Sequence, residues 1–294
     1  MPLSPIFILG PTGSGKSALA IELAERLGTA EIVSADAYQV YRQLPILTAA
    51  PTPAQLARIP HHLIATLDVS ELNDAATHAR RAARAIAAIQ ARGHRPIVTG
   101  GSGLYVKFIS HGISPAPPSD PALRATLAAL PLSDAVARLR ELDPIGAAHT
   151  DLSNPRYVIR NLEIVLLGRR PLAFWQQNWQ RPPAGPGFLL SLPTPELDAR
   201  IAARAHAMLA AGVIDEVAAL GPLSPTAEKT LGLLEIRAHL NGSLPRPQLA
   251  QALALTTRRY AKRQRTWLRR ESWLTPLPPS PHPLTHILDA LAQG

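Results

Sequence analysis

Eight residues, Gly10-Pro-Thr-Gly-Ser-Gly-Lys16-Ser17, restrict what this chain can fold into more than any other segment. They fit the spacing G-x-x-x-x-G-K-[ST], and they lie between a short apolar run, Pro5-Ile-Phe-Ile-Leu9, and an amphipathic stretch from Lys16 to about Leu27 that Gly28 ends. Strand, glycine-rich turn and helix in that order make a phosphate cradle. The glycines let successive backbone N–H groups point inward, and the helix N-terminus adds its partial positive charge. Lys16 is placed to neutralise a terminal phosphate, and the Ser17 hydroxyl to ligate Mg²⁺. The plain alternative is a turn that only joins two elements, and the correct flanking elements weigh against it. Gly10, Pro11, Thr12, Gly13, Ser14, Gly15, Lys16 and Ser17 are therefore expected to hold a di- or triphosphate.

The rest of the first hundred residues repeats the strand-and-helix pattern. Glu31 to Ala35 reads as a second strand, Asp74 to Arg92 as a helix stopped by Gly93, and Pro96 to Thr99 as a third strand. Strands separated by helices imply parallel pairing, hence an α/β sheet with ligands outside the carboxyl ends of its strands. At Pro115-Ala-Pro-Pro-Ser-Asp-Pro121 the character changes, and residues 121–180 carry only helical patterns with Pro breaks. Gly185-Pro-Gly then leads to Phe188-Leu-Leu-Ser-Leu192, a strand expected to rejoin the first sheet. The expected division is a P-loop core in two parts, 1–114 and 185–275, an inserted all-helical domain, 115–184, and a Pro-rich tail with a short helix, 276–294. A length of 294 residues, 46% of them apolar, supports about two domains.

Charge is concentrated in one place. The chain carries +9, but residues 257–270 hold seven basic side chains and no acid, which leaves 23 basic against 21 acidic groups elsewhere. At helical spacing Arg258, Lys262, Arg265 and Arg269 form a stripe, with Arg259, Arg263 and Arg270 beside it, opposite Tyr260, Ala261, Trp267 and Leu268. Such a helix suits nucleic-acid phosphates, and a solvated face of long cations is the bland alternative. No apolar run approaches the roughly 18 residues of a membrane span. The N-terminus lacks a basic leader, which argues against a signal peptide. The absence of Cys excludes disulfides and Cys-ligated metal, so a cytoplasmic setting is expected.

The same loop serves kinases, NTPases and any enzyme that grips a pyrophosphate. The third strand ends in Gly100-Gly101 where P-loop ATPases use a metal-binding Asp. The acid well placed at a strand end is Asp36, which can serve as general base, metal-shell ligand or helix cap. His61 and His62 are too poorly supported by other ligands to suggest a metal site. Trp175 and Trp179, one helical turn apart, fit packing better than base stacking, and Arg80, Arg81 and Arg84 fit a solvated face.

Taken together, the motifs resemble the bacterial tRNA dimethylallyltransferases. The resemblance runs in order through most of the chain. It includes the Gly10–Ser17 loop, Ser34-Ala-Asp-x-x-Gln-Val-Tyr41, Pro60-His-His-Leu-Ile64, Gly100-Gly-Ser-Gly-Leu-Tyr105 and Pro115-x-Pro-Pro-x-Asp-Pro121. It continues with Asn154-Pro-Arg-x-x-x-Arg-x-Leu-Glu163 and Thr257-Arg-x-Tyr-Ala-Lys-Arg-Gln-x-Thr-Trp267. The resemblance implies transfer of a dimethylallyl group from dimethylallyl diphosphate, with Mg²⁺, to N6 of the adenosine 3′ to the tRNA anticodon. Nothing in the sequence demands more than a monomer, and the resemblance implies that Lys16 and Ser17 grip the leaving group, that Asp36 accepts the proton and that Lys229 touches pyrophosphate. It places Asp36, Ala37, Tyr38 and Gln39 on the flipped base and Ser102 and Arg124 on tRNA. Arg156, Tyr157, Val158, Ile159 and Arg160 fall in the inserted domain that closes over the anticodon stem-loop, and Arg258, Lys262 and Arg265 face RNA phosphates. A nucleotide-binding, ATP-dependent small-molecule or nucleotide kinase is the rival reading, and a nucleic-acid-binding ATPase the third. The chain departs from the family at Ala37, often Ser; Ala50, often Lys; Ala65, often Asp; and Leu233, often Tyr.

Overall fold

The computed structural model describes residues 3–179, 181–278 and 283–293. Six parallel strands form one sheet: β1 (Ile6–Leu9), β2 (Ala30–Ser34), β3 (His61–His62), β4 (Arg95–Gly100), β5 (Gly187–Leu189) and β6 (Leu274–Pro276), in the order β3-β2-β4-β1-β5-β6. The α/β class expected from the sequence is the one observed. β1 and β2 are buried along their whole length, which is why β1 reads as a continuous apolar run rather than an alternating one. β5 pairs with β1 through Ile8 and Phe188, so the chain returns to the sheet after the helical insertion. The edge strands β3 and β6, two and three residues long, carry too little pattern to be read from sequence.

The chain divides into two compact units, Met1–Ser110 with Pro183–Gly294, and His111–Pro182. In the first, the helix Lys16–Leu27 packs Leu19, Ile21, Leu23 and Ala24 on the sheet beside Ile6, Ile8 and Ile97. Each large aliphatic side chain buried there contributes on the order of 1.5–3 kcal/mol. The helix ends where Gly28, at φ 73°, turns its N–H back to Ala24 and Glu25. Ile287, on the helix Pro283–Ala292, and Leu277 join this core, so the C-terminal residues are packed. The proline-rich segment expected at 276–283 falls partly on residues 279–282, outside the described residues. At the opposite end of the strands Glu31 is buried and accepts from Arg92, His62 Nε2 (2.7 Å) and His94 Nδ1 (2.8 Å). His62 is thus tied into structure.

The second unit is all helical, with a core of Leu127, Leu139, Val158, Leu162, Val165 and Leu172. The Pro breaks noticed in the sequence are helix starts. Pro121, Pro144 and Pro155 each occupy the first turn, behind the capping side chains Asp120, Asp143 and Asn154. Trp179 donates Nε1 to Gly112 O at 2.8 Å, and a Cβ on Gly168 would stand 2.5 Å from the Trp175 ring, so both rings serve packing.

Glu163, wholly buried, organises this unit. It accepts from Arg124, from Arg160 Nη1 (2.6 Å), from Ser119 Oγ (3.0 Å) and from the Asp120 amide (2.8 Å). Burial alone would raise its carboxyl, but the Arg160 and Arg124 hydrogen bonds and the Asp120 amide outweigh it and hold the group below the ordinary range. Glu163→Gln should destabilise the unit by about 2–3 kcal/mol, less than the ~3–5 kcal/mol of fully buried pairs because both guanidinium groups keep contact with solvent. Amide exchange in the helix Pro155–Gly168 should accelerate about 30- to 150-fold; unchanged protection there would contradict this account.

Candidate active site

Three backbone segments converge at the carboxyl ends of the central strands. β1 runs into the loop 10–17, β2 into residues 35–39, and β4 into Gly100 to Ser102. They are stitched together by Gly10 N donating to Gly100 O (3.2 Å) and Ala35 N to Thr99 O (2.8 Å). A Cβ on Gly100 would lie 2.8 Å from that of Ala35, so the strand end that lacks an Asp needs glycine for close approach.

In the loop, Gly13 and Gly15 sit at φ +83° and +92°, a left-handed region costly for other residues. Gly15 is also the N-cap of the helix Lys16–Leu27 and offers no side-chain oxygen, so the first-turn amides are left for a ligand. Lys16 Nζ donates to Pro11 O at 3.3 Å. Desolvation in the crowded cleft lowers its ammonium to about 8, with the Asp36 carboxylate pulling upward and the Arg204 guanidinium adding to the fall. Ser14 Oγ is buried with no hydrogen-bond partner among the described residues.

Asp36 faces the same space. Its Oδ1 accepts from Tyr38 N (2.9 Å) and Gln39 N (3.3 Å), so one carboxylate oxygen closes a turn, as in the capping alternative. Asp36 nonetheless lines two adjoining cavities. One is polar and is walled by Gly13, Gly15, Lys16, Ser17, Gln39 and Arg200. The other is mainly apolar and is walled by Leu47, Ile201, Met208, Leu231, Leu253 and Tyr260. Thr12, Asp36, Thr48 and Arg204 border both. Gln39 is oriented by Ser34 Oγ (3.2 Å) and by donation from its Nε2 to Ala49 O (3.2 Å).

Two residues of this site escape sequence reading. Arg204, on the helix Thr194–Ala210, is half-buried and donates Nη1 to Thr12 Oγ1 at 3.2 Å. Desolvation lowers its guanidinium, and the Asp36 carboxylate opposes that change. Gln264, on the buried face of the helix Arg246–Leu268, accepts from Thr12 N at 2.8 Å. An Arg in an Ala-rich amphipathic helix and a Gln inside a basic run look like surface residues; only the fold turns them inward.

The other residues expected to make contacts lie in varied surroundings. Val158 is wholly buried in the helical core and its side chain is not presented to RNA, whereas Ile159 packs against that core and is partly exposed. Arg124 and Arg160 are committed to Glu163, and Arg160 Nη2 also donates to Pro117 O at 2.6 Å, because a buried carboxylate demands cations. Arg156 and Tyr157 are exposed. Ser102 and Ala37 are buried against each other, Ala37 N donating to Ser102 Oγ at 3.4 Å, with Tyr260 Oη 3.1 Å from the same Oγ. Lys229 is exposed on a 3-10 turn, Ala227–Lys229, and lines neither cavity. Leu233 is fully buried in the apolar core next to the apolar chamber.

The basic stripe borders a groove of its own. Arg258, Arg259, Lys262, Arg265 and Arg269 line it together with Thr194 and Asp198, and Arg265 Nη1 donates to Thr194 Oγ1 at 2.7 Å. Ala261 and Leu268 are buried on the opposite arc, whereas Tyr260 and Trp267 are only partly covered. Among the described residues no helix is long and apolar enough to cross a membrane.

A parallel sheet with a lysine-bearing loop at the end of its central strand defines an α/β protein of the P-loop class. Comparison with known proteins narrows that class. The sequence model of the IPP transferase family matches residues 39–271, and the chain belongs to that family. A tRNA dimethylallyltransferase of Akkermansia muciniphila is 59% identical over 276 residues, 94% of each chain. The crystal structure of the full-length tRNA isopentenylpyrophosphate transferase of Bacillus halodurans superposes with a TM-score of 0.73 at 30% identity, over 99% of this chain and 96% of the other. A eukaryotic dimethylallyltransferase caught acting on tRNA shares the fold, with a TM-score of 0.81 at 23% identity over 94% of this chain and 74% of the other.

Proposed function

We propose that this chain transfers a dimethylallyl group from dimethylallyl diphosphate to N6 of the adenosine 3′ to the anticodon in tRNA, releasing diphosphate. The observation that carries this reading is the adjoining pair of cavities, one polar and one apolar, with Asp36 at their common border. Heterolysis of an allylic C–O bond leaves negative charge on pyrophosphate and positive character on carbon. Amides of the loop, Lys16 and Arg204 are in place beforehand for the anion, and preorganised donors of this kind lower such barriers. The apolar chamber gives the carbon skeleton and the purine a dry place to meet. The N6 lone pair attacks carbon, the C–O bond breaks with its electrons going to diphosphate, and the proton lost from nitrogen passes to the Asp36 oxygen not engaged by the turn. Adenine leaves the anticodon stack to reach that depth.

The Ser17 hydroxyl and Asp36 carboxylate line one cavity and are hard oxygen donors. With diphosphate oxygens and water they suit Mg²⁺, which would neutralise the leaving group. The basic groove of Arg258, Lys262 and Arg265 supplies phosphate contacts for the stem-loop. A kinase reading lacks such a chamber's purpose and is set aside by the relatives, which are named for prenyl transfer to tRNA. We place the enzyme in the cytoplasm as a monomer. Incubation of the protein with Mg²⁺, dimethylallyl diphosphate and an unmodified anticodon stem-loop should add one C5 unit to the RNA mass. ATP turnover without that gain would reverse the assignment.

A further inference from the structure

We propose that Gln264 is a positioning residue for the reaction: from the RNA-facing helix it fixes Thr12, and through Thr12 it aims Arg204 at the diphosphate. The inference rests on the proposed transfer to tRNA and adds a residue to it.

The helix Arg246–Leu268 has two faces with different tasks. Its outer face lines the basic groove. On its inner face Gln264, 5% exposed, is a polar side chain among Ala261 and Leu268, where burial without a partner is costly. Its Oε1 accepts from the Thr12 amide, 252 residues away in sequence. Space for that reach comes from Gly101, where a Cβ would stand 2.5 Å from Gln264 Nε2. Thr12 in turn presents its hydroxyl to Arg204 Nη1, and Arg204 borders both cavities and feels the Asp36 carboxylate.

Loss of the Gln264 acceptor frees the Thr12 amide and, with it, the hydroxyl that holds Arg204. An orphaned buried donor and a displaced guanidinium weaken the grip on an anion and leave the outer face of the helix unchanged.

The experiment measures inorganic pyrophosphate binding by calorimetry, the KM for dimethylallyl diphosphate, and stem-loop affinity in wild type, Gln264→Leu and Gln264→Asn. In both variants pyrophosphate affinity should fall and donor KM rise by about tenfold, with stem-loop affinity unchanged within twofold. Equal loss of stem-loop affinity would mean that Gln264 only supports the helix, and undiminished pyrophosphate binding would remove its role. Failure of the wild-type protein itself to bind pyrophosphate would instead refute the proposed function. Should the variants not fold, amide exchange in the wild-type protein decides: the Thr12 N–H should exchange slowly, and exchange at the rate of an open loop amide overturns the assignment.

Discussion

Asp36→Asn should lower kcat for prenyl transfer by about 10²- to 10⁴-fold while changing stem-loop affinity less than threefold. The choice of Asn follows from geometry. Oδ1 of Asp36 accepts the Tyr38 and Gln39 amides, and an asparagine oxygen can keep both bonds, so the segment 35–39 holds its shape. What is lost is the second carboxylate oxygen and its negative charge beside Lys16 and Arg204. Alanine would lose the turn as well and mix two effects. Comparable losses in kcat and RNA affinity for Asn would show that Asp36 orders the loop and takes no proton.

Lys16→Met should reduce kcat/KM for dimethylallyl diphosphate by about 10²- to 10³-fold, since it removes the lysine cation of the diphosphate cradle. It should also remove a pH dependence. The wild-type ammonium titrates near 8 in the free protein, so it is charged below that pH and attracts the anion, and neutral above it. Pyrophosphate affinity in wild type should therefore weaken as the pH rises past about 8, and the difference between wild type and Lys16→Met should shrink over the same range. The ionisation of the ligand is common to both proteins and cancels in the comparison. A constant difference from pH 7 to 9.5 would mean that the lysine does not titrate in the cleft.

The parts of this site that are legible in sequence are those built from neighbouring residues. The loop 10–17 combines glycines that permit φ near +90°, a lysine and a helix start within eight positions, so its geometry is encoded locally. The strand β1, the helix Lys16–Leu27 and its stop at Gly28 follow from apolar runs, helix formers and one glycine. The basic stripe at 258–269 is likewise visible because helical periodicity alone puts those cations on one arc. The contrast lies at Arg124 and Arg160. The family resemblance gives them as tRNA contacts, and what the sequence does not show is their pairing with Glu163, brought to the centre of that unit by packing while both guanidinium groups keep contact with solvent.

From the sequence by itself came the α/β class, the phosphate loop, the helical insertion and the candidate base at the end of β2, because each depends on interactions within a few residues along the chain. Tertiary structure decided that Thr12 is held by Gln264 and faces Arg204, that an apolar chamber opens beside the cradle at Asp36, and that Val158 and Ser102 are turned away from solvent. Those contacts join residues separated by up to 252 positions. No local preference specifies them; they exist only once sheet and helices have packed and the buried polar groups have found their partners.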